Sequence, residues 1–187
     1  EIGKKIGYHI EKWTRRTPMN PVIAYEKSIY FRSKFHYLTS WITHEDNYLI
    51  WRYLYFLRKE EAASNKIAAY YWRRRKNDLG AKLGIIIYAG CCGKGLRIWH
   101  YGSTIISGDA KIGEDCVFHG QACIGNDGSG TAAPVIGSRV DIGVGAKILG
   151  GITIADDVKI GAGAVVTKSC LENGATLVGI PAKVLRK

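Results

Sequence analysis

From residue 104 to 166 a large apolar side chain returns every sixth residue. Ile106, Ile112, Phe118, Ile124, Ile136, Ile142, Ile148, Ile154, Ile160 and Val166 share one phase, which only Gly130 interrupts. A second series of mostly small residues runs two positions earlier, through Thr104, Ala110, Cys116, Ala122, Pro134, Val140, Ala146, Ile152, Val158 and Ala164. Helices repeat at 3.6 residues and isolated strands at 2, so neither accounts for a sustained period of six. Six residues fit a short strand plus a corner, and three such sides close one coil of a parallel β-helix. The period therefore predicts a mainly β chain whose large residues stack inside a prism, with the small series near its corners. Burying one Ile or Leu contributes roughly 1.5–3 kcal/mol, enough for such a column to stand without a two-layer core. Gly follows the large residue at Ile112-Gly113, Ile124-Gly125, Ile136-Gly137, Ile142-Gly143 and Ile160-Gly161, where a turn with φ > 0 is expected.

The phase survives the Gly-rich stretch 126–133, because Ile124 and Ile136 stand twelve residues apart. One inward residue is missing there, so one side of the prism is expected to leave as a loop, a common carrier of function.

Composition divides the chain near Gly80–Gly84. Residues 1–83 carry net +9 and residues 84–187 net +2, and the first part holds four of the five Trp and nine of the eleven Tyr. Segments Asn47–Ala63 and Lys66–Asn77 have helical apolar spacing, with Thr43-His44-Glu45-Asp46 as a start signal and Arg73-Arg74-Arg75-Lys76 closing the second helix. The expected organisation is an α-helical, basic, aromatic-rich region over 1–83 and a β-helix with a C-terminal tail over 84–187. The basic region suits packing on an oligomer or peripheral contact with an anionic membrane. No nucleic-acid partner is expected, since no recognised motif accompanies the charge. Five cysteines without framework spacing point to a reducing, cytoplasmic setting, at the inner face of the membrane if the first region binds lipid. No signal peptide or membrane-spanning stretch is evident, and the chain begins at Glu1 rather than Met, consistent with a start further upstream.

A filled prism leaves chemistry to outer faces, loops and contacts between copies. There is no nucleophile elbow, phosphate loop or dinucleotide fingerprint. His100, between Trp99 and Tyr101, is the one titratable group that stands out, and a neutral imidazole there can take a proton from an attacking hydroxyl. His119 follows 19 residues later; with a coil of 18 residues it falls near His100, one position displaced. Zinc needs a third ligand, and His9, His36 and His44 all lie in the helical part, so no metal is expected.

Several stretches resemble the hexapeptide-repeat acyltransferases, in their serine acetyltransferase-like branch, with a likeness to polysaccharide O-acetyltransferases. They are His100-Tyr101-Gly102, Ala110-Lys111-Ile112-Gly113, Ile142 to Gly150, Lys159 to Val166 and Gly179-Ile180-Pro181-Ala182-Lys183. The resemblance implies a left-handed coil, a homotrimer and acetyl-CoA bound between subunits as co-substrate. It implies His100 as general base, an oxyanion position near Gly125-Asn126, and acetyl-CoA contacts at Gly143, Val144, Gly161, Ala162 and Lys168. Three departures accompany it. Trp99 stands where serine acetyltransferases have Asp, Ala132-Ala133 where they have an Arg-His pair that helps hold the amino acid, and the apolar run Ile85-Ile86-Ile87 near where they have the Asp that orients the base. Without that clamp for a carboxylate, the expected acceptor is a sugar or glycan hydroxyl, stacked on Trp99 and Tyr101 with His119 alongside. Serine O-acetyltransferase is the alternative, and a non-catalytic scaffold is the rival of another class.

Overall fold

The computed structural model describes residues 19–186. The part of the helical expectation that falls on residues 1–18, His9 included, lies outside the described residues. Among the described residues four α-helices precede the strands: α1 (Pro21–Tyr30), α2 (Lys34–Thr43), α3 (Asp46–Glu61) and α4 (Lys66–Leu83). The side chains of Asn20, Ser33 and Asn65 cap α1, α2 and α4 by accepting from Val22 N, His36 N and Ala68 N. The expected start signal before α3 is half a stop. His44 is the left-handed residue that ends α2, and Glu45 makes no capping bond. The basic run does not close the second helix either. Arg73 and Lys76 both pair with Glu60 of α3, and α4 continues to Leu83, where Gly84 at φ 67° ends it.

The strands then wind through three parallel sheets in rotation. One contains β1 (Ile85–Ile87), β3 (Thr104–Ile106), β6 (Cys123–Gly125), β9 (Lys147–Leu149) and β12 (Val165–Val166). A second contains β4 (Lys111–Ile112), β7 (Val135–Ile136) and β10 (Thr153–Ile154). The third contains β2 (Arg97–Ile98), β5 (Val117–Phe118), β8 (Asp141–Ile142), β11 (Lys159–Ile160), β13 (Thr176–Gly179) and β14 (Ala182–Val184), the last antiparallel to β13. This is a three-sided parallel β-helix, with both predicted series buried along its axis.

Two expectations about the corners are corrected. The glycines that directly follow the large residues do not have φ > 0; Gly113, Gly137, Gly143 and Gly161 are absent from the left-handed positions. Gly113 is required by close approach, since a Cβ there would stand 2.6 Å from the backbone of Gly137 on the next coil. Positive φ falls two residues further on, at Asp115, Gln121, Arg139, Gly145, Asp157 and Gly163. Nor does a side leave the prism after Ile124. Strand β6 is followed by β7 in the next sheet, so all three sides are present and residues 126–134 form an enlarged corner. An insertion of six residues preserves a six-residue phase, which makes it look like a missing side.

The helical and β segments share one continuous core. Part of the aromatic set of the helical region packs inward, for example Phe31 edge-on to Trp51 at 5.7 Å and Tyr37 edge-on to Trp51 at 5.4 Å, while Phe35, Tyr70 and Tyr71 are exposed. The helices also close the open end of the first coil. Tyr53 Oη accepts from Ile87 N, Lys76 Nζ donates to Ile87 O, and Glu61 accepts from Gly90 N. Arg58 donates to Cys92 O and Gly93 O, Glu26 accepts from Gly95 N, and Tyr30 Oη bonds Ile98 N and O. Backbone groups on all three sides thus find partners where no further coil among the described residues supplies them, as buried polar groups require. This explains the buried charges Glu26, Arg58, Glu60 and Lys76. Burial pushes the Tyr30 and Tyr53 phenols well above their ordinary range, so both act as neutral hydroxyls.

Candidate active site

The site residues gather at the corner between β2 and β3. Ile98 and Ile106 are both inward but eight residues apart, so this corner is two residues longer than a regular one. Gly102 and Ser103 take positive φ, 112° and 39°, and turn the chain outward. His100 is exposed on this corner, and Trp99 and Tyr101 are each 40% exposed. Gly120 lies against it: a Cβ there would stand 3.0 Å from His100 O and 3.5 Å from His100 Cβ. With φ at 118° as well, a side chain at position 120 would be strained and crowded against the histidine. Ile85 is buried in the core, and no side-chain bond to His100 occurs among the described residues.

The longer corner also moves His119. Strand pairing sets Ile98 beside Phe118, a step of twenty residues rather than eighteen. The neighbour of His119 is therefore Trp99, and the two rings stack at 6.2 Å with 16° between their planes. His119 Nε2 lies 2.8 Å from Asp141 Oδ1, within hydrogen-bond distance. Two residues before Trp99 along the chain, Arg97 brings its Cζ to 3.8 Å from the indole centroid. Arg97, Trp99, His119 and Asp141 thus form a row on the outer face of the third sheet. Sequence reading missed Arg97 as a site residue and left Asp141 without a role. The signal was the inward placement of Ile98, which puts residues 97 and 99 on the outer face together.

The remaining candidates are spread along the column. Gly125 O accepts from Gly150 N, and Asn126 Oδ1 accepts from Gly128 N, at the start of the enlarged corner. Asp127 accepts from the Ser129 hydroxyl and N–H, which hold its carboxyl below the usual range. Ala132 is exposed, and Ala133 packs on the core. The N–H groups of Gly143 and Gly161 are committed to Ile160 O and Leu177 O at 2.8 Å. Those two glycines therefore offer a ligand no amide proton, and the exposed Val144 and Ala162 are the members of each pair that face solvent. A Cβ on Gly143 would stand 2.6 Å from Ala162 N, so the pairs interlock between coils. Lys168 is exposed beyond β12. No group of three or more His, Cys, Asp or Glu is gathered for a metal among the described residues.

No family model matches the chain. A serine acetyltransferase from Helicobacter pylori is 43% identical over 107 residues, covering 56% of this chain and 62% of the relative. One from Mycobacterium tuberculosis is 37% identical over 105 residues, 54% of this chain and 45% of the relative. Among solved structures, the apoenzyme of soybean serine acetyltransferase superposes with a TM-score of 0.66 at 27% identity, covering 74% of this chain and 58% of that one. The chain is similar to serine acetyltransferases. A serine acetyltransferase from Brucella abortus covers 88% of this chain and 67% of its own at TM-score 0.67, but 23% identity speaks for the fold alone. The chain spans 62% of the length of the Helicobacter pylori relatives and less of several others. These relatives are named for serine. They give no support to the expected polysaccharide O-acetyltransferase likeness or to a sugar or glycan acceptor, and they fit the serine alternative better. Contact with a membrane, and with it a place at the inner face, is likewise unsupported; no helix among the described residues is long and apolar enough to cross one.

Proposed function

We propose that the chain is an acetyl-CoA-dependent O-acetyltransferase that acts on L-serine or a small hydroxy acid of that kind. The observation that carries the reading is His100, exposed on a lengthened corner of a β-helix that is similar to serine acetyltransferases. In the reaction His100 removes the proton of the acceptor hydroxyl as its oxygen attacks the thioester carbonyl of acetyl-CoA. An N–H near Gly125-Asn126 stabilises the tetrahedral oxyanion, a contribution often worth about 3 kcal/mol. Collapse expels CoA as a thiolate, which takes the proton back from the imidazolium. No acyl-enzyme forms, so Cys123 and Cys170 have no part in it. The proposal includes a left-handed coil and a homotrimer whose neighbouring copies hold acetyl-CoA between them, along faces that contain Val144, Ala162 and Lys168.

The test is thiol release from acetyl-CoA with L-serine as acceptor, together with detection of O-acetylserine. His100→Ala is expected to lower kcat by about 10²- to 10⁴-fold while leaving the KM for acetyl-CoA near its parent value. An unchanged rate in that variant, or no thiol release from the parent with any hydroxyl acceptor, overturns the reading.

A further inference from the structure

A small hydroxy acid arrives with a carboxylate, and this chain has Ala132-Ala133 where the resembled family has its Arg-His pair. The row beside His100 contains a cation that could replace it. Arg97 lies three residues before His100 and on the same outer face as Trp99. Stacking at 3.8 Å on the indole occupies one face of the guanidinium. Its N–H donors lie in the guanidinium plane and remain available along the edge, in the fork that matches a carboxylate.

The charges around Arg97 leave it available. Arg58, Arg73, Arg74 and Arg139 each have a carboxylate partner. No carboxylate pairs with Arg97 among the described residues. Across the sheet its register neighbour is Val117, and only beyond that comes Asp141, which is bonded to His119. An Asp at position 99 would stand two residues from Arg97 on the same face and compete for it. Trp99 instead holds the guanidinium in place without neutralising it.

We propose that Arg97 binds the carboxylate of the acceptor, with Trp99 as the platform that presents the guanidinium beside His100. The inference rests on the acetyl-transfer reading and adds to it the residue that selects the acceptor. The clamp missing from the enlarged corner is replaced by one three residues before the base.

Steady-state thiol release from acetyl-CoA tests it, with L-serine and L-serine amide as paired acceptors for the parent, Arg97→Ala and Arg97→Lys. Loss of a hydrogen-bonded charge predicts that Arg97→Ala raises the KM for L-serine about 10- to 100-fold. The KM for acetyl-CoA and the rate with the amide should change by less than about threefold. Arg97→Lys keeps the charge but not the fork and should fall between the two. Equal KM for serine in parent and Arg97→Ala overturns the clamp and leaves acetyl transfer standing. So does a parent that prefers the amide to serine. Equal loss with both acceptors in Arg97→Ala and Arg97→Lys also overturns it, as damage to the corner. Absence of thiol release from the parent with every hydroxyl acceptor overturns both readings.

Discussion

Gly113 and Gln121 illustrate two demands that one glycine-rich pattern conceals. At Gly113 the backbone has ordinary φ but no space, with Gly137 within 2.6 Å of any added Cβ. At Gln121 there is space, but φ is 54°. Gly113→Ala should therefore lower stability by roughly 1–3 kcal/mol through overpacking. Gln121→Gly, which relieves a left-handed strain but adds chain entropy, should stay within about 1 kcal/mol of the parent. Urea midpoints of the two variants check this; equal midpoints would contradict the assignment of crowding to one position and dihedral strain to the other. The inward series was legible in the sequence because side-chain volume itself repeats. The reason for the glycines was not, since residues on successive coils meet only after the chain has wound.

Among elements, the corners carry the differences from a regular coil. The corner that bears His100 was hidden because Ile98 is out of phase with Ile106, so the visible repeat begins after the site. His100, Trp99 and Tyr101 could be chosen from residue type and resemblance. Arg97 and the partnership of Trp99 with His119 depend on a twenty-residue step that no period predicts. A different corner is held by charge: Arg139 bonds Asp157 at 2.7 Å and Asp156 at 3.2 Å on the next coil. The Arg139 guanidinium holds the Asp157 carboxyl below its usual range. Such a group contributes stability above its unfolded pKa of about 3.9 and loses it as pH falls through the lower folded value. Arg139→Ala should thus melt below the parent at neutral pH, with the gap closing as pH falls past the unfolded carboxylate value of about 3.9 and through the lower folded one. The gap should be small and shrink in salt, because the pair is exposed to solvent. A gap that widens on acidification would contradict the pairing.

At the scale of the molecule, the helices and the column share one buried core. Arg58 joins them, paired with Glu26 at 2.8 Å and Glu61 at 2.9 Å while donating to the first coil. Removing one partner of a buried pair leaves the other uncompensated, so Arg58→Ala should cost about 3–5 kcal/mol. Helical and β signals should be lost together in the same denaturant transition; a β signal that keeps the parent midpoint would show that the column stands without its helices. Helix α4 ends at Leu83 and β1 begins at Ile85, but the composition around them gave no sign of this shared core. That depends on polar side chains reaching backbone groups that belong to another segment. The same contacts bear on solubility. An uncovered rung at the end of a parallel column is a template on which another chain can add, as exposed strand edges are in general. Here side chains occupy the first rung, and β14 runs backwards over β13 on one side of the last. Stacking end to end into a fibre is blocked by the same residues that tie the helices to the coil.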